Sequence, residues 1–374
     1  MNLKKMYFDN QDKVQKFKRT WDDVHFTNGR KRHDINVTAA LIYLYKHCDM
    51  DFNLLDKLLG ANKINNPGFQ NTMLAYIYEG YIKKFISNNA YYEDDFLLGV
   101  AFFYDEHNLY RDNGAREDNE SLNTLLEDLL DCNTFKGLSF LQGNANPGRI
   151  LVDMASKTPL LDYTAYAINP DLMVVLQLRV LLLQIIHQDM KLGGIIQPKD
   201  LVANQLFDRI LTMPLWRSSS KAMEYFPERT SLSKLDVPES KIADGEWHEI
   251  LFNLSLLDRN GKMVTLVTNS TLANNLNVLT RQALIENGYI ECVIELPDRL
   301  LENTGIELYV VVLSYGNKGI KFLDASQAYT EQRRRKNIDV KTVLENLANP
   351  KISRFEVSNL LLEKVTIYCL NDIL

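Results

Sequence analysis

The chain has 374 residues, 46% of them hydrophobic and 24% charged, a balance that supports a large buried core and excludes a low-complexity or disordered polymer. A net charge of −6 and an isoelectric point near 5.6 exclude attraction of the whole chain to nucleic acid, so any such contact must be local or supplied by a partner. Cys48, Cys132, Cys292 and Cys369 lack CxxC spacing and a nearby His cluster, which argues against a metal site or disulfide framework and for reduced thiols in the cytoplasm.

Met1 to Lys5 leads into polar residues, so no secretion signal is expected. Residues 1–118 are predicted to form a mainly helical domain, because the apolar clusters Ala39 to Tyr45 and Leu54 to Leu59 recur at helical spacing and Gly60 supplies a stop. Two basic clusters are either solvated faces or phosphate contacts: Lys13, Lys16, Lys18 and Arg19, then Arg30, Lys31, Arg32 and His33. The polar run 105–120 is the candidate linker.

Residues 119–330 then alternate strands with helices. Asn119 or Ser121 caps a helix over 122–131, a strand follows over 138–141, and Gly143 to Gly148 makes a turn into a helix over 149–156. A strand over 163–168 leads through Asn169-Pro170-Asp171 into an apolar helix over 171–187. Its core, Leu172 to Ile186, contains Arg179 and is too short to cross a bilayer, so no membrane contact is expected. Strands near 194–196, over 207–212 and over 263–267 continue the alternation. The pattern predicts an α/β fold with a doubly wound, mostly parallel sheet and ligands outside the carboxyl ends of its strands. Residues 331–374 are read as a C-terminal extension with a helix around 340–347.

Phe207-Asp208-Arg209-Ile210-Leu211-Thr212-Met213-Pro214-Leu215-Trp216 reads as a strand running into a proline-aromatic turn. By itself this is either a buried strand ending at a proline or a turn that holds a base. Later segments narrow the choice: Ile290-Glu291-Cys292-Val293-Ile294-Glu295-Leu296-Pro297, then Asn303-Thr304-Gly305-Ile306, a strand from Leu308 to Ser314, and Asp324-Ala325-Ser326. In this order they resemble the adenine-N6 DNA methyltransferase family, specifically the modification subunit of type I restriction-modification systems, over residues 120 to 330.

The resemblance implies a Rossmann-like methyltransferase domain at 119–330, behind the helical N-terminal domain. It implies S-adenosylmethionine as cofactor, DNA as substrate and a specificity or restriction subunit as companion. The implied cofactor positions are Gln142, Gly143, Gly148, Ala167, Asn169 and Asp200; the implied catalytic turn is Met213, Pro214 and Trp216. Several depart from the family. Gln142 stands where an acid would hold the cofactor's ammonium, Ala167 where an acid would bind its ribose, and Met213 where Asn or Asp would accept from the target amine. Asp200 is the carboxylate that remains, where an Asp can meet the cofactor's adenine amine; an isolated loop Asp is more often a turn or capping group. Trp216 serves either as a stacking face or as a core aromatic.

Arg333-Arg334-Arg335-Lys336 is either a phosphate contact or a solvated loop. Family members extend further beyond this point through C-terminal helices that engage a specificity subunit. The departures lead to an expectation of weak or lost methyl transfer, with a non-catalytic DNA-binding or assembly module as the alternative.

Overall fold

A computed structural model describes residues 3–25, 35–61, 80, 82–83, 85–86, 92–104, 119–131, 138–145, 148–157, 162–166, 168, 170–187, 192–195, 201, 205–214, 216, 232–237, 245–301, 305–332, 335–349 and 354–356. The chain divides into two compact units. The first comprises Met1–Ala115, Asn146–Pro159 and Asn169–Leu192; the second comprises Arg116–Ala145, Leu160–Ile168 and Gly193–Leu374.

The first unit is helical: α1 (Leu3–Asp9), α2 (Gln11–His25), α3 (Ile35–His47), α4 (Phe52–Ala61) and α5 (Asp94–Phe103), joined by α7 (Arg149–Lys157) and α8 (Pro170–Ile186) from later in the chain. Helix α2 buries Val14, Phe17 and Trp21 on one face and exposes Lys13, Lys16 and Arg19 on the other, the division that a 3.6-residue repeat imposes. Phe17 meets the rings of Phe85 and Tyr92, each with centroids 4.9 Å away. Helix α5 is buried from Phe96 through Phe103, and α8 packs against α3 and α5. That packing explains a helix apolar on nearly every face. Its Arg179 is buried too, and its Nε donates to the carbonyl of Ala101 at 2.9 Å, so the charged head is held by backbone.

The second unit is built on a nine-stranded sheet. Its strands are β1 (Ser139–Gly143), β2 (Asp162–Ala165), β3 (Leu192–Ile195), β4 (Phe207–Thr212), β5 (Leu257–Thr268), β6 (Ile290–Glu295), β7 (Leu308–Leu313), β8 (Gly319–Asp324) and β11 (Arg354–Glu356), in the order β11-β8-β6-β7-β5-β4-β1-β2-β3. A separate two-stranded ribbon pairs β9 (Tyr329–Gln332) with β10 (Arg335–Ile338). Strand β1 runs parallel to β2 and β4, and β4 runs parallel to β5. Strand β7 is inserted antiparallel between β5 and β6, while β6 and β8 pair in parallel. All six residues of β7 are buried, as a strand covered on both faces requires. The sheet is therefore doubly wound and mostly parallel.

The remaining helices of this unit are α6 (Glu120–Leu129), α9 (Gly245–Ser255), α10 (Asn269–Ala273), α11 (Val278–Glu286) and α12 (Val340–Ala348). Trp247, Ile250, Leu251 and Leu254 of α9 and Leu284 of α11 join Leu141, Ile210, Met263 and Val311 of the strands in one core. Asn119 caps α6, its Oδ1 accepting from the backbone N–H groups of Ser121 and Leu122. Gly288, at φ +65°, turns the chain from α11 into β6; an added Cβ would lie 2.5 Å from the Asn317 carbonyl oxygen, so a larger residue is excluded there.

Several element ends differ from the sequence reading. Strand β1 runs two residues beyond the predicted end, because Gln142 and Gly143 pair with Leu211 and Thr212 of β4 and Gln142 also pairs with Ala165 of β2. The turn therefore starts at Asn144, which takes φ +49°. Strand β2 ends earlier than predicted, at Ala165, and β5 starts earlier, at Leu257. No described helix is long and apolar enough to cross a membrane.

Burial gives this unit a pH dependence. It pushes the Cys292 thiol and the Tyr309 and Tyr315 hydroxyls up to about 12, aided by Glu291, Glu295 and Tyr289 respectively. Burial and then Glu249 raise Tyr166 well above its ordinary value. Each folded value lies above the unfolded one, so the folded state holds these protons more tightly. The resulting stability is complete below the unfolded values of about 9 for Cys and about 10 for Tyr, and is lost as pH rises through the folded values. Urea-unfolding midpoints are expected to fall progressively from about pH 9 towards about pH 12. A flat midpoint across that window would contradict this assignment.

Candidate functional site

The order β3-β2-β1-β4-β5 carries a reversal of winding. From β1 the sheet grows outward through β2 and β3, then the chain returns to place β4 on the other side of β1. A crevice forms beyond the carboxyl ends of β1 and β4 in sheets wound this way. Here those ends carry Gln142, Gly143 and Asn144 from β1 and Thr212, Met213 and Pro214 from β4.

Gly143 lies flat between its neighbours in the sheet. A Cβ at this position would sit 2.7 Å from the Tyr166 hydroxyl, 2.9 Å from Thr212 Oγ1 and 3.0 Å from Asn253 Oδ1. All three side chains are fully buried, so the space left by the missing side chain is taken by the protein's own hydroxyl and amide groups. They form one directed network with Glu249, which α9 supplies one turn before Asn253. The Asn253 amide donates to the Tyr166 hydroxyl at 2.7 Å, to Thr212 Oγ1 at 3.4 Å and to the Glu249 carbonyl at 2.8 Å. Both hydroxyls donate onward to Glu249 Oε1, from Thr212 at 3.1 Å and from Tyr166 at 3.4 Å. Helix α9 runs into β5, which pairs parallel with β4, so its N-terminal half faces the strand ends.

Asn144 crosses from β1 to β4. Its Nδ2 donates to the Met213 carbonyl at 3.0 Å, and the residue is 1% exposed. The left-handed backbone at Asn144 is one that Asn tolerates better than most residues. Three acceptors gather on this part of the sheet: Gln142 Oε1, Asn144 Oδ1 and Asn253 Oδ1 are all buried with no hydrogen-bond partner among the described residues.

The structure places the residues singled out from sequence as follows. Gln142 and Gly143 are adjacent strand residues, with Gln142 1% exposed. Gly148 precedes α7 at φ +79°, its carbonyl accepting from Val152 N–H at 3.0 Å. Met213 is half-buried, Pro214 is buried and Trp216 is half-buried. Ala167, Asn169, Asp200 and Leu215 lie outside the described residues. Tyr166, Glu249 and Asn253 were missed from sequence. Tyr166 sits beside the expected ribose acid, but Glu249 and Asn253 belong to a helix carrying no motif, and as polar residues in an almost wholly buried helix they are marked only by the fold. Among the described residues no group of three or more His, Cys, Asp or Glu side chains could hold a metal ion.

This sheet order, with β7 inserted antiparallel between β5 and β6 and the crevice at the β1/β4 reversal, defines a Rossmann-like methyltransferase fold. The sequence relationship is narrower: residues 176–354 match the family model described as N-6 DNA Methylase. No curated protein matches.

Solved structures agree on the fold. The methyltransferase subunit of a type I restriction-modification system from Streptococcus thermophilus is 15% identical, with a TM-score of 0.56 over 80% of this chain and 68% of that one. The type IIG restriction endonuclease BpuSI is 14% identical, with a TM-score of 0.56 over 90% of this chain and 43% of that one. A chain from a structure on the assembly and conformational transition of a type I restriction-modification system is 12% identical, with a TM-score of 0.55 over 89% of this chain and 81% of that one. At these identities the likeness is one of fold.

Proposed function

We propose that this chain is a modification-subunit relative of the adenine-N6 DNA methyltransferases, in a restriction-modification system, that has kept the scaffold and lost methyl transfer. Its role is then that of a non-catalytic module in the cytoplasm that binds DNA or assembles with a specificity or restriction subunit. The observation that carries this reading is the filled face of Gly143, where Tyr166, Thr212 and Asn253 occupy the space that a glycine leaves beside the crevice.

S-adenosylmethionine is the cofactor that the family implies, and the described residues do not fit it. Its ammonium calls for a carboxylate at the end of β1, and the residue there is Gln142, a buried neutral amide that cannot replace an ion pair. The carboxylate that is near, Glu249, already accepts from two buried hydroxyls. At the end of β4, Met213 offers only a thioether where an amide or carboxylate would accept from an incoming amine.

Calorimetric titration of the purified protein with S-adenosylmethionine tests this reading, together with transfer of a radiolabelled methyl group to DNA. Any dissociation constant is expected to lie above about 1 mM, weaker than about 4 kcal/mol of binding, and no label is expected in DNA. Micromolar binding with labelled adenine would sink the proposal. Restoring acids at Gln142 and Ala167 together with Asn at Met213 is expected to be necessary before binding appears.

A further inference from the structure

A mostly enclosed cavity of about 40 Å³ lies between the sheet and the helices of the second unit, lined from β5 to β8 rather than from the ends of β1 and β4. On the sheet side stand Thr265 of β5, Val311 of β7 and Val293 of β6, which are in register: Thr265 lies opposite Val311, and Val311 opposite Val293. On the helix side stand Trp247 and Ile250 of α9 and Leu284 of α11. All six are buried. Native cores leave few voids larger than a water molecule, so a space of this size in the middle of one is a feature of the packing.

The surface turned to the cavity is apolar, although three of its residues carry polar atoms. The Trp247 indole N–H donates to the Thr271 carbonyl at 3.1 Å, which leaves its ring as wall. Arg281 Nη1 donates to the Asn274 carbonyl at 2.8 Å, so the guanidinium is engaged there and the aliphatic stem supplies apolar surface. Thr265 Oγ1 is buried with no hydrogen-bond partner among the described residues.

These walls select the occupant. A buried water needs about two to four polar partners, and apolar walls with one spare hydroxyl do not supply them. An ion would exchange its hydration shell for carbon. Size sets the other limit: a water-sized atom takes about 10 to 15 Å³, so about 40 Å³ admits about three heavy atoms, well short of the roughly 150 Å³ that holds benzene.

We propose that this cavity is a binding site for a small, uncharged, apolar molecule of about three heavy atoms. Its place in the fold gives occupancy a consequence. Thr265 is the register partner of Thr212, and Ile250 follows Glu249 on α9, so a molecule held there fastens to β5 the same helix that carries the Tyr166 network. The site stands whether or not the protein transfers methyl groups.

Methyl NMR of the full chain, labelled at Ile, Leu and Val, under rising xenon pressure reads the site directly. The methyl signals of Ile250, Leu284, Val293 and Val311 are expected to shift together and to saturate, while that of Leu44, buried in α3, stays in place. Val293→Ile combined with Val311→Ile fills the space, and is expected to weaken xenon binding by about tenfold or more without lowering the urea midpoint. Leu284→Ala enlarges the space and is expected to admit benzene, which the wild-type cavity excludes, so the test survives a filled variant that does not fold. Shifts that fail to saturate or that extend equally to Leu44 overturn the proposal, as does undiminished xenon binding in a folded filled variant. Acetate is similar in size but charged, and the same methyls responding to acetate in place of xenon would make this an anion pocket at Arg281 and overturn the apolar assignment.

Discussion

Gly143→Ala is expected to lower the unfolding free energy by about 2 to 4 kcal/mol, from overpacking and from displaced buried hydrogen bonds. The added methyl carbon meets the Tyr166 hydroxyl at 2.7 Å and Thr212 Oγ1 at 2.9 Å, distances that real Cβ contacts do not reach. None of its neighbours can retreat freely. Tyr166 and Asn253 are hydrogen-bonded to each other, Thr212 ends a strand paired on both sides, and all are fully buried. Urea unfolding monitored by circular dichroism gives the change directly, provided the m-value is unchanged. The result separates two reasons for a glycine here. If it keeps a gap open for a cofactor, Ala should leave the free protein about as stable as before; if it makes room for the Tyr166 network, Ala should destabilise the protein without any cofactor.

Glu249 is the second test, and its truncation should be at least as costly. Glu249→Leu removes the acceptor shared by Tyr166 and Thr212, stranding two buried hydroxyl donors, and a loss of about 3 to 5 kcal/mol is expected. Tyr166→Phe removes a weaker link: its bond to Glu249 is 3.4 Å long, though the Asn253 amide loses its shortest contact, at 2.7 Å. The expected cost there is about 1 to 2 kcal/mol. A double-mutant cycle combining Tyr166→Phe with Glu249→Gln should give a coupling of about 1 kcal/mol, because the two residues share one network. Additive single effects would mean that the side chains fill space independently. That outcome would remove the network as an explanation for the closed glycine face.

Together these tests bear on how a methyltransferase scaffold can be stable without its ligand. Buried acceptors at the ends of β1 and β4 carry a desolvation cost that a bound cofactor offsets in an active enzyme. In this chain a tyrosine hydroxyl, a threonine hydroxyl and two α9 side chains satisfy most of one another. Gln142 Oε1, Asn144 Oδ1 and Asn253 Oδ1 remain without partners among the described residues.

Much of this architecture was legible in the sequence because its signals are local. Apolar runs of strand length bounded by Gly, Asn and Pro placed β1, β4, β6 and β7, and the alternative caps Asn119 and Ser121 bracketed the start of α6, which the structure gives to Asn119. The segments from Ile290 to Ser326 carried the family resemblance, and the departures at Gln142 and Met213 were visible by residue type alone. Element ends were less legible. Whether Gln142 and Gly143 belong to a strand or a turn depends on β2 and β4 lying beside them, and no local propensity encodes that pairing.

The sequence by itself therefore determined the order of elements and the fold class, since side-chain chemistry and backbone periodicity are properties of short segments. Only the tertiary structure decided what surrounds Gly143 at the end of β1. The atoms around Gly143 come from β2, β4 and α9, segments far apart in the chain that meet only through the parallel pairing of the sheet and the packing of one helix on it. A glycine carries no record in sequence of whether the space beside it is open or filled, because that space is defined entirely by other residues.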